Sequence, residues 1–245
     1  MAKWVAPFAF LAVPSAFIIA QLIGALTTAQ VGILRGIPPK QIETWLQNNL
    51  LAQFLFMMLS EALIVLAIFG LLRFLHWTWR TIGLSKPMFK HILYGVAAVI
   101  PYYILYLLIV ALVSALVPSL DVNQKQEIGF DNATTRVALL LTFVSLVLIP
   151  PFVEEIAMRG FMYTGLKTWL PVVPAALLVS VIFGMAHLAE GGEAGPLWIG
   201  AIDTFTLSLV LVFLREKTGN LWAGITLHAL KNFVAFMLVF VLHAS

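Results

Sequence analysis

Long apolar stretches, separated by short polar connections, govern what this chain can fold into. They cover residues 5–26, 50–72, 92–117, 137–168, 172–189, 196–214 and 221–242. A helix needs about 20 residues to cross the ~30 Å hydrocarbon core of a bilayer, and only helices and closed barrels satisfy every backbone group there. Charged residues make up 10% of the 245, whereas soluble domains carry about 25%. We therefore predict an all-α integral membrane protein, a polytopic bundle of about seven transmembrane helices, with a count of eight left open.

The connections are too short for a soluble domain, which predicts one membrane domain over 1–245. The longest are 27–49, which is amphipathic enough to hold an interfacial helix, and 73–91. The chain has no cysteine, which excludes disulfides and a cysteine nucleophile. Its net charge of +3 comes mostly from the loops and calls for no nucleic-acid partner.

Lysine and arginine are unequally divided between the two sides of the predicted bundle. Loops 73–91 and 215–220 are rich in them, whereas loops 118–136 and 190–195 hold more Asp and Glu. Because Lys and Arg are enriched in cytoplasmic loops, this distribution predicts a cytoplasmic N-terminus and a C-terminus on the other side.

The fourth apolar stretch is too long for one perpendicular crossing, and Pro150–Pro151 interrupts it just before Glu154. Proline removes a backbone donor and kinks a membrane helix, so we expect a polar cavity beside Glu154. If the following turn lies near Leu170–Pro171, Glu154 and His187 are each about sixteen residues from it. They are then expected at similar depth on adjacent antiparallel helices, within a bundle core over 137–242.

Glu155 and Arg159 are spaced i,i+4 with the acid first, the favourable order for a helical ion pair. Their expected role is to neutralise each other and brace the helix. Glu154 points about 100° away and has no local partner. It is a candidate general base; the alternative is a glutamate that only bonds a neighbouring helix.

Two histidines follow in later apolar stretches. His187 comes four residues after Phe183, and His228 precedes Asn232 by the same interval. Imidazole and amide N–H groups are suitable donors to a developing oxyanion, and carboxylates with histidines are also zinc ligands. The spacing His-Glu-x-x-His of common zinc peptidases is absent.

Other polar residues within the apolar stretches have plainer interpretations. Glu61 with Ser60, and Asp203 with its neighbour Thr204, are expected to support the site or to bond neighbouring helices. Lys231 either neutralises Asp203 or extends toward the membrane surface.

Together these residues resemble a known family. Its motifs are Glu-Glu-x-x-x-Arg, Phe-x-x-x-His and His-x-x-x-Asn/Asp, and this chain has them at 154–159, 183–187 and 228–232. The family is the CPBP group of intramembrane endopeptidases, which includes the type II CAAX prenyl endopeptidases. One departure is Met158, where many members carry an aromatic residue.

The resemblance implies a helical bundle that encloses an active-site cavity, and a role for each motif residue. Glu154 would activate the hydrolytic water with help from His187, while His228 and Asn232 would stabilise the oxyanion. Supporting roles fall to Glu155, Arg159 and Phe183. We favour a mechanism without a cofactor; zinc stays open as the alternative, with Glu154, His187 and His228 as its ligands.

We therefore predict an intramembrane endopeptidase in the plasma membrane of a prokaryote. Its expected partners are the lipid bilayer and a peptide or lipidated protein that enters from the membrane surface. This substrate is expected to be of CAAX type if the source organism prenylates proteins. The first alternative is a non-enzymatic immunity or regulatory protein that retains the fold. A proton-coupled carrier that uses Glu61, Glu154 and Asp203 ranks last, because the chain shows no internal symmetry.

Overall fold

The computed structural model describes residues 4–130 and 133–242, and within these ranges every regular element is helical. Seven of the described helices are long and apolar enough to span a membrane. We number these spans in chain order: Val5–Leu34, Leu50–Phe74, Phe89–Leu116, Arg136–Leu166, Val172–Gly192, Trp198–Thr218 and Trp222–Val241. The predicted all-α multi-pass bundle is confirmed.

The first span is longer than predicted, because it continues to Leu34 rather than ending at residue 26. The polar residues at this end do not stop the helix, since the Thr28 hydroxyl donates to the carbonyl of Gly24 at 2.8 Å. The rest of 27–49 holds a 3₁₀ turn, Pro39–Gln41, and a short helix, Ile42–Asn48. Asn49 then caps the second span by accepting from two backbone N–H groups.

The fourth span is not one regular helix. An α-helical turn, Ile149–Glu154, lies between two π-helical segments, Val144–Leu148 and Glu155–Met162. The α-helical turn contains Pro150 and Pro151, as the predicted interruption requires. π-Helical turns are rare and often occur at functional sites, and these two flank the glutamates.

The fourth span forms the centre of the bundle. Its segment 155–162 is buried throughout and packs against the first, second, fifth and sixth spans. The sixth span contacts the third, fifth and seventh, and the seventh packs against the segment Val144–Leu148. The hydrophobic core therefore surrounds the Glu-Glu motif, and the motif helices lie side by side.

Candidate active site

A cavity of about 560 Å³ lies among the spans. It is lined by all four of the predicted catalytic side chains: Glu154, His187, His228 and Asn232. They come from the fourth, fifth and seventh spans, which lie far apart in the chain. The structure thus brings the four together, while their catalytic roles remain a prediction.

Glu155 and Arg159 form an ion pair behind the cavity, with 2.9 Å between Glu155 Oε1 and Arg159 Nη1. Both are completely buried, at 1% and 0% exposure. The Arg159 guanidinium also stacks 4.2 Å from the centre of the Phe183 ring. That ring meets His187 and His228 edge-on, with centroids 4.7 and 5.9 Å apart. Phe183 therefore packs between the ion pair and both histidines.

His228 lies between the two adjacent glutamates. Its Nε2 is 3.7 Å from Glu154 Oε2 and its Nδ1 is 3.5 Å from Glu155 Oε1. Glu154 reaches the cavity, whereas Glu155 is oriented away from it by Arg159. A carboxylate on each side of the imidazole restricts the orientation of His228 and places its Nε2 beside the candidate base.

His187 lies where the α-helix of the fifth span ends and a 3₁₀ segment, Leu188–Ala194, begins. Its Nδ1 is 2.7 Å from the carbonyl oxygen of Phe183. Because a carbonyl only accepts, Nδ1 must carry the proton of a neutral ring, which leaves Nε2 as an acceptor. Its Nε2 lies 3.8 Å from Oε1 of Glu190, and within the described residues no Glu154 oxygen lies within ion-pair distance of the ring.

Asn232 is tied to the proline interruption of the fourth span. Its side-chain N–H donates to the backbone carbonyl of Leu146 at 2.9 Å. An α-helical donor for this carbonyl would come from Pro150 and a π-helical donor from Pro151, and neither residue has an N–H. Asn232 replaces the missing donor, and the second hydrogen of its amide remains available to the cavity.

Three acidic side chains of the cavity were missed or assigned minor roles from the sequence. Glu190 lies in the predicted loop 190–195, although its i,i+3 spacing from His187 indicates the contact that the structure shows. Asp203 pairs with Lys231 at 2.9 Å and accepts from the Tyr102 hydroxyl. Glu61 lines the cavity on the second span.

These side chains do not fit a zinc ion. In the ranges that the structure describes, no three His, Asp or Glu side chains are grouped closely enough to hold a metal. A zinc site needs at least three protein ligands. The absence of a cofactor remains a prediction.

Comparison with known proteins gives a family match over the segment that contains this site. Residues 136–234 match a family model described as Rce1-like, the type II CAAX prenyl endopeptidases. The chain carries an Rce1-like segment. This segment contains all three motifs and confirms the resemblance drawn from them. No curated protein and no solved structure matched the chain.

The Rce1-like segment supports the general class of a CAAX-type intramembrane endopeptidase. It also supports a multi-pass membrane protein that works in a bilayer on a peptide substrate. It extends from the start of the fourth span into the seventh, close to the predicted core over 137–242.

Proposed function

We propose that this chain is an intramembrane endopeptidase that hydrolyses a peptide bond of a membrane-associated substrate without a metal ion. The observation that carries the proposal is the position of Glu154. It lines the cavity within the Rce1-like segment, has no Lys or Arg partner among the described ion pairs, and lies 3.7 Å from His228. A carboxylate free of a cation partner is available to accept a proton.

In the proposed reaction, Glu154 takes a proton from a water molecule as the water oxygen bonds to the carbonyl carbon of the substrate. The carbonyl oxygen becomes an oxyanion. When the C–N bond breaks, Glu154 returns the proton to the amine nitrogen. The water oxygen ends in the new carboxyl group, so one water is consumed and Glu154 is regenerated.

His228 and Asn232 are the proposed donors to the oxyanion. A donor that the protein holds in place before the reaction gives the strongest electrostatic stabilisation of a transition state. Asn232 is held in this way, and His228 lies between the two glutamates. The bond from Asn232 to Leu146 fixes one amide hydrogen and directs the other. His187 offers Nε2 as an acceptor and is proposed to orient the water beside Glu154.

The proposed substrate is a peptide or lipidated protein that reaches the cavity from the membrane surface. The support is the family description, which names a CAAX prenyl endopeptidase, and the apolar side chains of the first and last spans along the cavity, such as Phe17, Ile18 and Phe240. These apolar side chains beside the polar catalytic residues would accommodate a substrate that carries a lipid next to the peptide bond to be cleaved.

The test compares protein termini in membranes from cells that express wild type or Glu154→Ala at matched levels. New termini that depend on Glu154 establish proteolysis and identify the substrates. Glu43→Ala is the matched control, because Glu43 is exposed on the short helix away from the cavity, and its profile should equal wild type. Identical profiles for wild type and Glu154→Ala, with a phenotype that still depends on the protein, would favour the immunity or regulatory alternative.

A further inference from the structure

Glu61 is a buried acid on the second span, outside the Rce1-like segment. It is 7% exposed, and its Oε2 has no hydrogen-bond partner among the described residues. It lines the same cavity as Glu154. Placing an ionisable side chain in such surroundings costs free energy. If Glu61 served only to hold the fold together, we would expect a hydrogen-bond or ion-pair partner that offsets this cost.

The other buried acids of the spans show what a structural partner looks like here. Glu155 is paired with Arg159, and Asp203 with Lys231, each at 2.9 Å. No Lys, Arg or His of the described chain lies within ion-pair distance of Glu61. Glu61 thus shares with Glu154 the lack of a Lys or Arg partner, and both face the cavity rather than a neighbouring cation.

Glu61 and Glu154 line the same cavity from neighbouring spans. The second span, which carries Glu61, packs against Ile149–Glu154, the segment that ends at the candidate base. Glu154 Oε2 and the hydroxyl of Ser60 are likewise buried without a hydrogen-bond partner in the described structure. Buried polar groups of this kind are normally satisfied by ordered water, and the cavity is large enough for it.

We infer that Glu61 is a positioning residue for Glu154, and that the two carboxyl groups hold one proton and the hydrolytic water between them. Two carboxylates in one site repel each other, and a shared proton removes the repulsion. The neutral partner then donates a hydrogen bond that orients the ionised one. This inference rests on the proposed function, because it assigns Glu61 to the same reaction.

A purely structural Glu61 makes a different prediction from a positioning Glu61. Replacing an unpartnered buried acid by leucine removes its desolvation cost, so Glu61→Leu should raise the thermal stability of the protein whichever role holds. Only a positioning role predicts that the same variant loses activity. Glu61→Gln keeps the shape and a hydrogen-bond donor, so it should retain most of the activity that Glu61→Leu loses.

The experiment measures how fast the Glu154-dependent termini appear in cells that express full-length wild type, Glu61→Leu, Glu61→Gln or Glu154→Ala at matched levels. Thermal melting of each purified full-length variant accompanies it. We expect the rate to fall about 10- to 100-fold in Glu61→Leu, as when a group that orients a catalytic residue is lost. Glu61→Gln should remain within a few-fold of wild type.

The outcomes separate this inference from the proposed function. Cleavage that depends on Glu154 but stays within twofold of wild type in Glu61→Leu overturns the role of Glu61 alone. If Glu61→Leu fails to fold, Glu61→Gln decides: a folded variant that is as inactive as Glu154→Ala contradicts a donor role. Identical termini in wild type and Glu154→Ala reject the proposed function and this inference with it.

Discussion

Glu154 and Glu155 are neighbours in the chain that occupy different surroundings. The Glu155 side chain is 1% exposed and paired with Arg159, whereas Glu154 is 17% exposed and lines the cavity. The separation follows from helix geometry, because consecutive residues point about 100° apart. A single step along the helix thus divides a supporting acid from a candidate base.

The same change at these two positions should give opposite results. Glu154→Gln is expected to leave thermal stability near wild type and to lower the cleavage rate at least about 100-fold, because an amide does not accept the water proton. Glu155→Gln leaves Arg159 without its counter-charge, at a cost of about 3–5 kcal/mol, and should lower the melting temperature strongly. Melting and cleavage assays on both purified variants check this. A stable Glu155→Gln with normal melting would contradict the structural role of the pair.

At the level of elements, the proline interruption links the fourth span to the seventh. Pro150 and Pro151 together deprive the Leu146 carbonyl of both helical donors, and Asn232 supplies the replacement at 2.9 Å. The interruption therefore orients a proposed oxyanion donor, beyond bending the helix beside Glu154.

Restoring the backbone donor should release Asn232. In Pro150→Ala the new N–H of residue 150 can bond the Leu146 carbonyl, so we expect equal or higher thermal stability and a several-fold lower cleavage rate. Pro101→Ala is the control, because Pro101 is an exposed proline within the third span and away from the cavity. Unchanged cleavage by Pro150→Ala would show that Asn232 does not depend on this bond for its position.

Gly184, inside the Phe-x-x-x-His motif, lets the fifth and sixth spans approach closely. A Cβ at this position would lie 2.8 Å from the Ala201 carbonyl oxygen and 3.1 Å from the Phe205 Cβ. Small residues allow such contacts between membrane helices. The approach places Phe183 and His187 against the rest of the site.

Gly184→Ala is expected to separate these spans, to destabilise the protein by about 1–3 kcal/mol, and to reduce cleavage by displacing His187. Gly70→Ala is the matched control, since a Cβ there meets no atom within 4 Å and alanine favours helix. Melting of both variants tests the expectation. Equal melting temperatures would mean that the fifth and sixth spans adapt to the added methyl group.

At the scale of the whole molecule, the cavity lies toward one side of the bundle. Its lining includes Gln126 and Glu190, near the loops richer in Asp and Glu. No described residue of the Lys- and Arg-rich loops 73–91 and 215–220 lines it. If those basic loops are cytoplasmic, as the distribution of charge predicts, the cavity opens on the opposite side of the membrane.

The chain has no cysteine, so single cysteines report this orientation directly. We expect Asn123→Cys, in the loop near the cavity, to react with a membrane-impermeant maleimide added to intact cells, and Pro87→Cys, in a basic loop, to react only after lysis. Both positions are exposed. The reverse labelling would place the cavity on the cytoplasmic side, which suits a prenylated protein made in the cytoplasm.

The amino-acid sequence alone determined the helical spans and the candidate residues. A bilayer admits few ways to satisfy a backbone, so apolar stretches of sufficient length predict helices with boundaries close to those observed. The i,i+4 spacing predicted the pair Glu155–Arg159, since neighbours on one helix face meet whatever surrounds them. The first span continues past its predicted end, where the Thr28 hydroxyl bonds to a backbone carbonyl within the helix.

The tertiary structure decided which residues meet across spans. Apolar periodicity leaves the rotation and depth of a helix against its neighbours undetermined, and contacts between distant segments depend on both. The position of His228 between two glutamates and that of His187 beside Glu190 are contacts of this kind. Glu61 and Glu154 likewise line one cavity from different spans. The Leu146 carbonyl could be identified from the sequence as lacking a donor, but only the packing of the seventh span against the fourth shows that Asn232 provides it.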